Sequence, residues 1–426
     1  MLEISTLRLE KERVLTGLKK KNASEAQFNM VDKIIELDDL RKKLQTENDN
    51  LLSESNKISK EIGDLFKSGK QAEAGELKNR VAEIKEQTKA LDEQSKNVLT
   101  EINDLLIQLP NLPHSSVPYG KHAEDNEVFK SWDGPLDDLF AEAIPHWELA
   151  EKYKLFSLSD GVKLTGSGFP VYKGKGAKLQ RALITYFLEK ATDAGYLEIM
   201  PPLMVNQDTA RATGQLPDKE GQMYYVERDD LYLIPTAEVP MTNLYRDTIV
   251  AEEDLPIKLT GYTPCFRREA GSYGADVKGL NRVHQFDKVE IVQIAHPSKS
   301  YNVLMQMLSH VEGLLQELGL PYRILRLCGG DMSFTSALTF DFEVYSKAQK
   351  RWLEVSSVSN FETFQSNRLM LRYKDGDGKN KLAHTLNGSA LALARIVASI
   401  LENFQTPEGV VVPDVLRKYT GFDIIN

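Results

Sequence analysis

The sequence predicts an α+β protein, a body built on an antiparallel sheet and preceded by a long N-terminal antiparallel helical hairpin. Three observations carry this expectation. Residues up to about Ile107 lack proline and place apolar side chains in alternating steps of three and four. Pro110, Pro113 and Pro118 then interrupt the chain. Beyond them, strand-like and helical stretches follow one another without the regular alternation of a doubly wound parallel sheet. The expected division is an arm over residues 1–109 and a body over 110–426.

The first run of the arm reads Met30, Ile34, Leu37, Arg41, Leu44, Asn48, Leu51, Ser55, Ile58, Ile62 and Leu65. Lys67-Ser68-Gly69-Lys70 breaks it, and it resumes with Leu77, Val81, Ile84, Thr88, Leu91, Ser95, Val98, Ile102 and Leu105. Each run puts one apolar seam on a helix, and a short turn between similar lengths makes the two helices antiparallel partners. The Gly-containing turn favours this self-paired hairpin over a dimerising coiled coil. Each helix should hold about 30–35 residues, or about 45–50 Å. Arg41, Asn48 and Ser55 in the seam weaken it mid-length and help set its register.

In the body, Lys178 to Ala194 reads as a helix. Tyr224 to Ile234 reads as short strands broken at Asp229-Asp230, and Val289 to Ile294 as a strand. Phe340, Phe342 and Val344 alternate with Asp341, Glu343 and Tyr345, the pattern of a half-buried strand. Helices are expected from Tyr301 to Leu318 and from Ser389 to Phe404.

The chain of 426 residues is 41% hydrophobic and 27% charged, enough apolar material for a large core. It contains no apolar run of about 18 residues, so no membrane span is expected. The charged start has no apolar centre and does not read as a secretory signal. Cys265 and Cys328 are too few for a disulfide framework or a Cys-rich zinc site, which suits a reducing cytoplasm. The formal net charge of −9 argues against nucleic acid as a partner, but only on average. Lys19-Lys20-Lys21 and Arg41-Lys42-Lys43 are local basic clusters on the arm, read on charge alone as solvated helix faces.

Common catalytic signatures are missing. Gly174-Lys175-Gly176 lacks the residues that complete a phosphate loop, the seven histidines show no metal spacing, and no nucleophile elbow occurs. What remains is charge inside apolar segments. Thr263 to Gly271 ends a strand-like stretch and enters a Gly-rich loop, and Gly279 to Glu290 returns as a second strand. Alternation places Phe286, Lys288 and Glu290 on one face, with Gln285, Asp287 and Val289 on the other. Buried charges need partners, and a ligand bearing phosphates, an ammonium and a carboxylate would supply them. An exposed hairpin with solvated charges is the alternative. Thr236 and Glu238 read equally well as a helix cap and its first-turn acid, and Ser389 as an N-cap. Glu354 to Ser357 reads as a strand end or as metal and phosphate ligands. Arg395 lies among apolar residues and should meet an anion.

Together these segments resemble the seryl-tRNA synthetase family of class II aminoacyl-tRNA synthetases, in its bacterial form, over essentially the whole chain. Phe266-Arg-Arg-Glu-Ala-Gly271 through Arg282-Val-His-Gln-Phe-Asp-Lys-Val-Glu290 is similar to the second class motif. Leu386-Asn-Gly-Ser389 through Arg395 to Glu402-Asn-Phe-Gln405 is similar to the third. Gly168-Phe-Pro-Val-Tyr172, the helix after it and Pro201-Pro202 resemble the first, which forms a dimer interface. Thr236-Ala-Glu238 resembles the amino-acid-binding signature, and the hairpin resembles the tRNA-binding arm.

The resemblance implies the class II antiparallel sheet flanked by helices, a cytoplasmic homodimer, and ATP-dependent activation of L-serine followed by transfer to serine tRNA. Selenocysteine tRNA is a further implied acceptor. Catalysis falls to Arg267 and Arg395, the first clamping the α-phosphate and the serine carboxylate, the second facing the γ-phosphate. Thr236, Ala237, Glu238, Arg267, Glu290 and Ser389 are implied serine ligands. Arg267, Arg268, Glu269, Val283, Phe286, Glu354, Val355, Ser356, Ser357 and Arg395 are implied around ATP. Glu269 accepts from the adenine amino group and Phe286 stacks on the base. Glu354 and Ser357 are implied Mg²⁺ ligands, and no zinc is expected. Two departures stand out: Arg268 where many relatives have serine, and Ala390 where many have glycine.

Two rival readings are a ligase that loads an amino acid onto a carrier protein and a non-catalytic adaptor. The long arm argues against the first, because a carrier needs no such reach. Arg267, Glu290, Glu354 and Arg395 argue against the second.

Overall fold

The computed structural model describes residues 1–136, 139–218, 221–269 and 278–426. The chain divides into two compact units, Met1–Pro110 and Asn111–Asn426.

In the first unit, helices α1 (Glu25–Lys67) and α2 (Gln71–Leu106) are joined at Gly69, whose φ of 77° lies where glycine is favoured. Ile34, Leu37 and Leu44 of α1 and Ile84, Thr88, Val98 and Ile102 of α2 are buried along the seam. Toward the turn, Leu51, Ile58, Ile62 and Leu65 are only half-buried, as a two-helix rod dictates. Asn48 Nδ2 donates across the seam to Asp92 Oδ1 at 3.0 Å, and Arg80 meets Glu54 at 2.8 Å. Arg41 instead turns along its own helix to Asp38 at 2.7 Å.

At 43 residues α1 is longer than its heptads predict. A capping box starts it early: Gln27 N donates to Ser24 Oγ, and Ser24 N donates to Gln27 Oε1. Two short helices not anticipated from the sequence, Ile4–Leu9 and Lys11–Lys20, pack on its first turns through buried Leu7, Val14 and Leu18. Arg8 Nε reaches the buried Asp38 carboxylate at 2.8 Å and ties the first of them down.

The second unit is built on eight strands: β1 (Glu127–Ser131), β2 (Leu197–Glu198), β3 (Ile257–Phe266), β4 (Gln285–Ala295), β5 (Tyr322–Arg326), β6 (Leu338–Ser346), β7 (Arg351–Asn360) and β8 (His384–Ala392). Their order is β1-β5-β6-β7-β8-β4-β3-β2, antiparallel throughout except for the edge pair β2–β3. Helices α3 (Gly174–Asp193) and α6 (Leu393–Asn403) pack together and against β4, and α5 (Ser300–Glu317) packs on β7 and β8. The long, almost wholly buried β4 lies at the centre of this arrangement, paired on both edges. No helix among the described residues is long and apolar enough to cross a membrane. Cys265 and Cys328 are buried and free.

One expected boundary is corrected. The last helix was expected from Ser389, with that residue as a cap. The ladder to β4 instead continues through Ser389 to Ala392, and the helix begins at Leu393. Ladder hydrogen bonds hold this apolar, small-residue stretch extended as far as they run. The Gly-rich loop expected after Glu269, including Ala270 and Gly271, lies outside the described residues.

Candidate active site

Strand alternation organises the site. On one face of β4, Asp287 accepts from the Tyr262 hydroxyl and from Gln180 Nε2, each at 2.8 Å, and so anchors the strand to β3 and α3. Phe286, Lys288 and Glu290 point to the other face. Glu290 and Lys288 are both buried, with Nζ 2.6 Å from Oε2. Lys288 Nζ also donates to Thr236 Oγ1 at 2.8 Å, and that hydroxyl donates to Glu290 Oε2 at 3.3 Å. Asn387 Nδ2 donates to the other oxygen, Oε1, at 3.2 Å.

Thr236 also does what a cap does. Its Oγ1 accepts from Glu238 N at 3.2 Å, at the start of α4 (Glu238–Asn243). The helix entry and the polar cluster are therefore one device. The Glu238 side chain accepts from Gln365 Nε2 at 2.7 Å, and Gln365 Oε1 is held in turn by the Thr385 hydroxyl. Burial, with the charge of Glu290 nearby, pushes the Glu238 carboxyl up to about 7. Ala237 between them is fully buried and offers only its backbone.

Arg267 follows the end of β3. Its Nε donates to Pro235 O at 3.4 Å, and its guanidinium carbon lies 5.3 Å from the centre of the Phe286 ring. Its backbone N donates to His284 O at 2.9 Å, closing the two strands beyond their ladder. Arg268 sends its guanidinium over Tyr224 at 5.7 Å. Glu269, in a left-handed conformation with φ 48°, forms an ion pair with Arg282. Val283 and Val355 are buried apolar residues.

Arg395 on α6 donates from Nε to Asn281 O at 2.9 Å and from Nη1 to Glu354 O at 2.6 Å. The Glu354 carboxylate lies 3.6 Å from the same Nη1 and is half exposed. Ser389 stands opposite Glu290 in the ladder, and its carbonyl accepts from the Ser356 hydroxyl at 2.5 Å. Ser357 stands opposite Asp341, whose Oδ1 is buried without a hydrogen-bond partner and whose carboxyl is raised well above its ordinary value, by burial first and the charge of Glu354 second.

Among the described residues no three His, Cys, Asp or Glu side chains converge as a metal site. Glu354 and Ser357 still fit a hard divalent cation of another kind. Mg²⁺ is ordinarily held by one or two carboxylates together with substrate phosphates and water. One carboxylate, one hydroxyl and the unpaired Asp341 oxygen nearby are oxygen donors of that type.

Thr236, Glu238, Arg267, Phe286 and Glu290 thus share one side of β4. The cluster includes three residues that sequence reasoning did not assign. Lys288 was legible on the same face as Phe286 and Glu290 but carried no role. Asn387 lies within Leu386-Asn-Gly-Ser389, and nothing in the sequence marks Gln365.

A family model described as the tRNA synthetase class II core domain (G, H, P, S and T) matches residues 224–404. One described as the seryl-tRNA synthetase N-terminal domain matches residues 1–113. A serine–tRNA ligase of Salinibacter ruber is 48% identical over 424 residues, covering 99% of this chain and 98% of its own. One of Chlorobium phaeobacteroides is 44% identical over 432 residues, covering all of both. The crystal structure of seryl-tRNA synthetase from Pyrococcus horikoshii complexed with ATP superposes with a TM-score of 0.93 at 34% identity, covering 100% of this chain and 99% of that one. The cytoplasmic serine–tRNA ligase of Naegleria fowleri in complex with AMP gives 0.88 at 28% identity, with the same coverage.

Proposed function

The chain belongs to the seryl-tRNA synthetase family of class II synthetases, which join serine to tRNA using ATP, and from that premise we propose the roles of its residues. The serine carboxylate attacks the α-phosphorus of ATP, diphosphate leaves, and seryl-adenylate forms. A terminal ribose hydroxyl of the tRNA then attacks the acyl carbon and AMP leaves. Neither step needs an enzyme nucleophile. Both need alignment and positive charge where phosphoryl charge redistributes.

Arg267 clamps the α-phosphate and the serine carboxylate, and its planar fork suits two acceptors at once. Its place over Phe286 supports this, since a base stacked on that ring brings the phosphates toward the guanidinium. Glu269 and the backbone of Arg268 meet the adenine. Val283, Val355 and Ser356 line the nucleotide site, and Arg395 faces the γ-phosphate. Glu354 and Ser357 would hold Mg²⁺ arriving with the nucleotide, and bound there it would draw charge from the triphosphate oxygens.

Glu290 accepts from the serine hydroxyl, with Ser389 beside it. Thr236, Ala237 and Glu238 grip the ammonium. The buried Lys288–Glu290–Thr236 cluster carries this reading. It holds a pre-oriented buried carboxylate whose Oε1, bonded only to Asn387, has capacity left to accept from a ligand hydroxyl, and sites built to bond a hydroxyl discriminate against the analogue that lacks it by about 10⁴-fold or more.

Residues 1–109 form the arm that contacts the phosphates of serine tRNA, and of selenocysteine tRNA where a cell has one, by shape more than by base contacts. Residues 110–426 form the catalytic domain and a cytoplasmic homodimer through Gly168 to Tyr172, α3 and Pro201-Pro202. Exposed Leu197, Met200 and Met204 around this segment support an apolar interface there.

Pyrophosphate exchange with serine, threonine, alanine and cysteine tests the reading. Serine should exceed alanine by about 10⁴-fold and threonine and cysteine by about a hundredfold or more. Equal exchange with alanine would overturn the role of Glu290. A carrier protein accepting the amino acid in place of tRNA would overturn that of the arm.

A further inference from the structure

Beyond the side chains that meet substrate, a fully buried histidine lies behind the nucleotide site. His146 opens a short helix, His146–Tyr153, and both it and Glu402 of α6 are completely out of water. His146 Nδ1 lies 2.6 Å from Glu402 Oε1, and its backbone N donates to the same oxygen at 3.0 Å. The other ring nitrogen, Nε2, accepts from Leu280 N at 2.8 Å. These partners define the tautomer. Nδ1 carries the proton and donates it in a hydrogen bond to the carboxylate, and the Leu280 N–H requires a bare lone pair on Nε2.

Glu402 continues the network. It accepts from the Ser346 hydroxyl, and Gln349 Nε2 donates to it at 2.9 Å. Gln349 Oε1 accepts from Asn281 Nδ2 at 2.9 Å, and also from Arg351 Nε at 3.2 Å. Leu280 and Asn281 are therefore held twice, through a backbone N–H and through a side-chain amide. The carbonyl of that same Asn281 accepts from Arg395 Nε.

Gly279 shows how closely the parts fit. Its φ is 64°, and a Cβ there would come within 2.1 Å of His146 Nε2. Any side chain at 279 would displace the ring.

We propose that His146 is a positioning residue for the nucleotide site: with Glu402 and Gln349 it fixes the backbone of Leu280 and Asn281, whose carbonyl aims Arg395 at the triphosphate. Nε and Nη1 of Arg395 are spent on two backbone carbonyls, which sets the plane of the fork before substrate arrives. Losing the histidine frees the Asn281 carbonyl to drift and the fork to turn. This rests on the reading of Arg395 as the γ-phosphate ligand.

The test is pyrophosphate exchange by the full-length enzyme, varying ATP and serine separately. His146→Ala should raise KM for ATP about tenfold, the scale of one hydrogen bond to a charged group, and leave KM for serine within about twofold. His146→Gln, whose Oε1 can reach the Leu280 N–H, should restore most of the ATP affinity. His146→Asn keeps only the bond to Glu402 and should not. In an Arg395→Ala background, His146→Ala should add less than about twofold, because both changes disable the same group. Equal effects of Gln and Asn, or equal shifts in both KM values, would overturn the proposal, and these two variants decide it even where the alanine variant does not fold. An Arg395→Ala enzyme with unchanged KM for ATP would overturn the reading of Arg395 instead.

Discussion

Lys288 Nζ and Glu290 Oε2 lie 2.6 Å apart, two positions along one strand, with both side chains almost entirely out of water. Residues i and i+2 of a strand share a face, so this pairing follows from alternation alone. Its burial follows from what covers the face, namely Thr236 at the entry to α4 and Asn387 on β8. A buried pair adds little net stability but is costly to break, because the survivor keeps its desolvation penalty.

Lys288→Met should therefore destabilise the protein by about 3 kcal/mol, seen as a lower urea midpoint. Adding Glu290→Gln should recover part of that loss while leaving serine activation impaired. Equal midpoints for Lys288→Met and the unaltered protein would show that Glu290 finds another partner.

With Glu238 as the proposed ammonium ligand, stability and serine binding should depend on pH in opposite senses. Its carboxyl is raised from 4.5 to about 7 in the folded protein, so the native state holds a proton that the unfolded chain has released. Its contribution to stability is full below about 4.5 and is lost as pH rises through about 7, with a slope near 1.4 kcal/mol per pH unit between them. The ammonium of serine wants the ionised form, so KM for serine should fall as pH rises through 7. Glu238→Gln should flatten both profiles, which urea titrations and exchange kinetics across pH 5–8.5 would show.

Arg267→Ala should lower serine-dependent exchange by about 10²–10³-fold or more, the scale on which one charge-stabilising donor acts. Arg267→Lys should remain well below the unaltered enzyme, because it keeps the charge but loses the fork. Exchange that persists in the alanine variant would assign the α-phosphate clamp to another residue.

Removal of most of the hairpin, from Met30 to Leu105, should preserve serine-dependent exchange and abolish charging of tRNA. The two assays on one preparation separate activation from acceptor binding. Charging at an unchanged rate would refute the role of the arm.

Legibility followed the range of the interactions. The hairpin could be read because its heptads repeat along both helices and each seam residue reports the same face. The length of α1 could not, since its start depends on the Ser24–Gln27 cap and on two short helices with no long repeat. The faces of β4 were plain from alternation. The end of β8 was not, because small apolar residues suit strand and helix alike, and the ladder to β4 decided between them.

In the candidate site, the chemical types were visible in short segments, whereas their pairings were not. Thr236 and Glu290 are 54 positions apart, Glu238 and Gln365 are 127 apart, and His146 and Glu402 are 256 apart.

From its residues alone this chain settles where apolar faces run and which charges sit among them, because backbone periodicity is local. Which charges neutralise one another, which carboxyl is pushed upward and which carbonyls accept from Arg395 were decided only when distant segments excluded water from the same few side chains. The cost of burying a charge belongs to its surroundings, and those surroundings exist only in the folded chain.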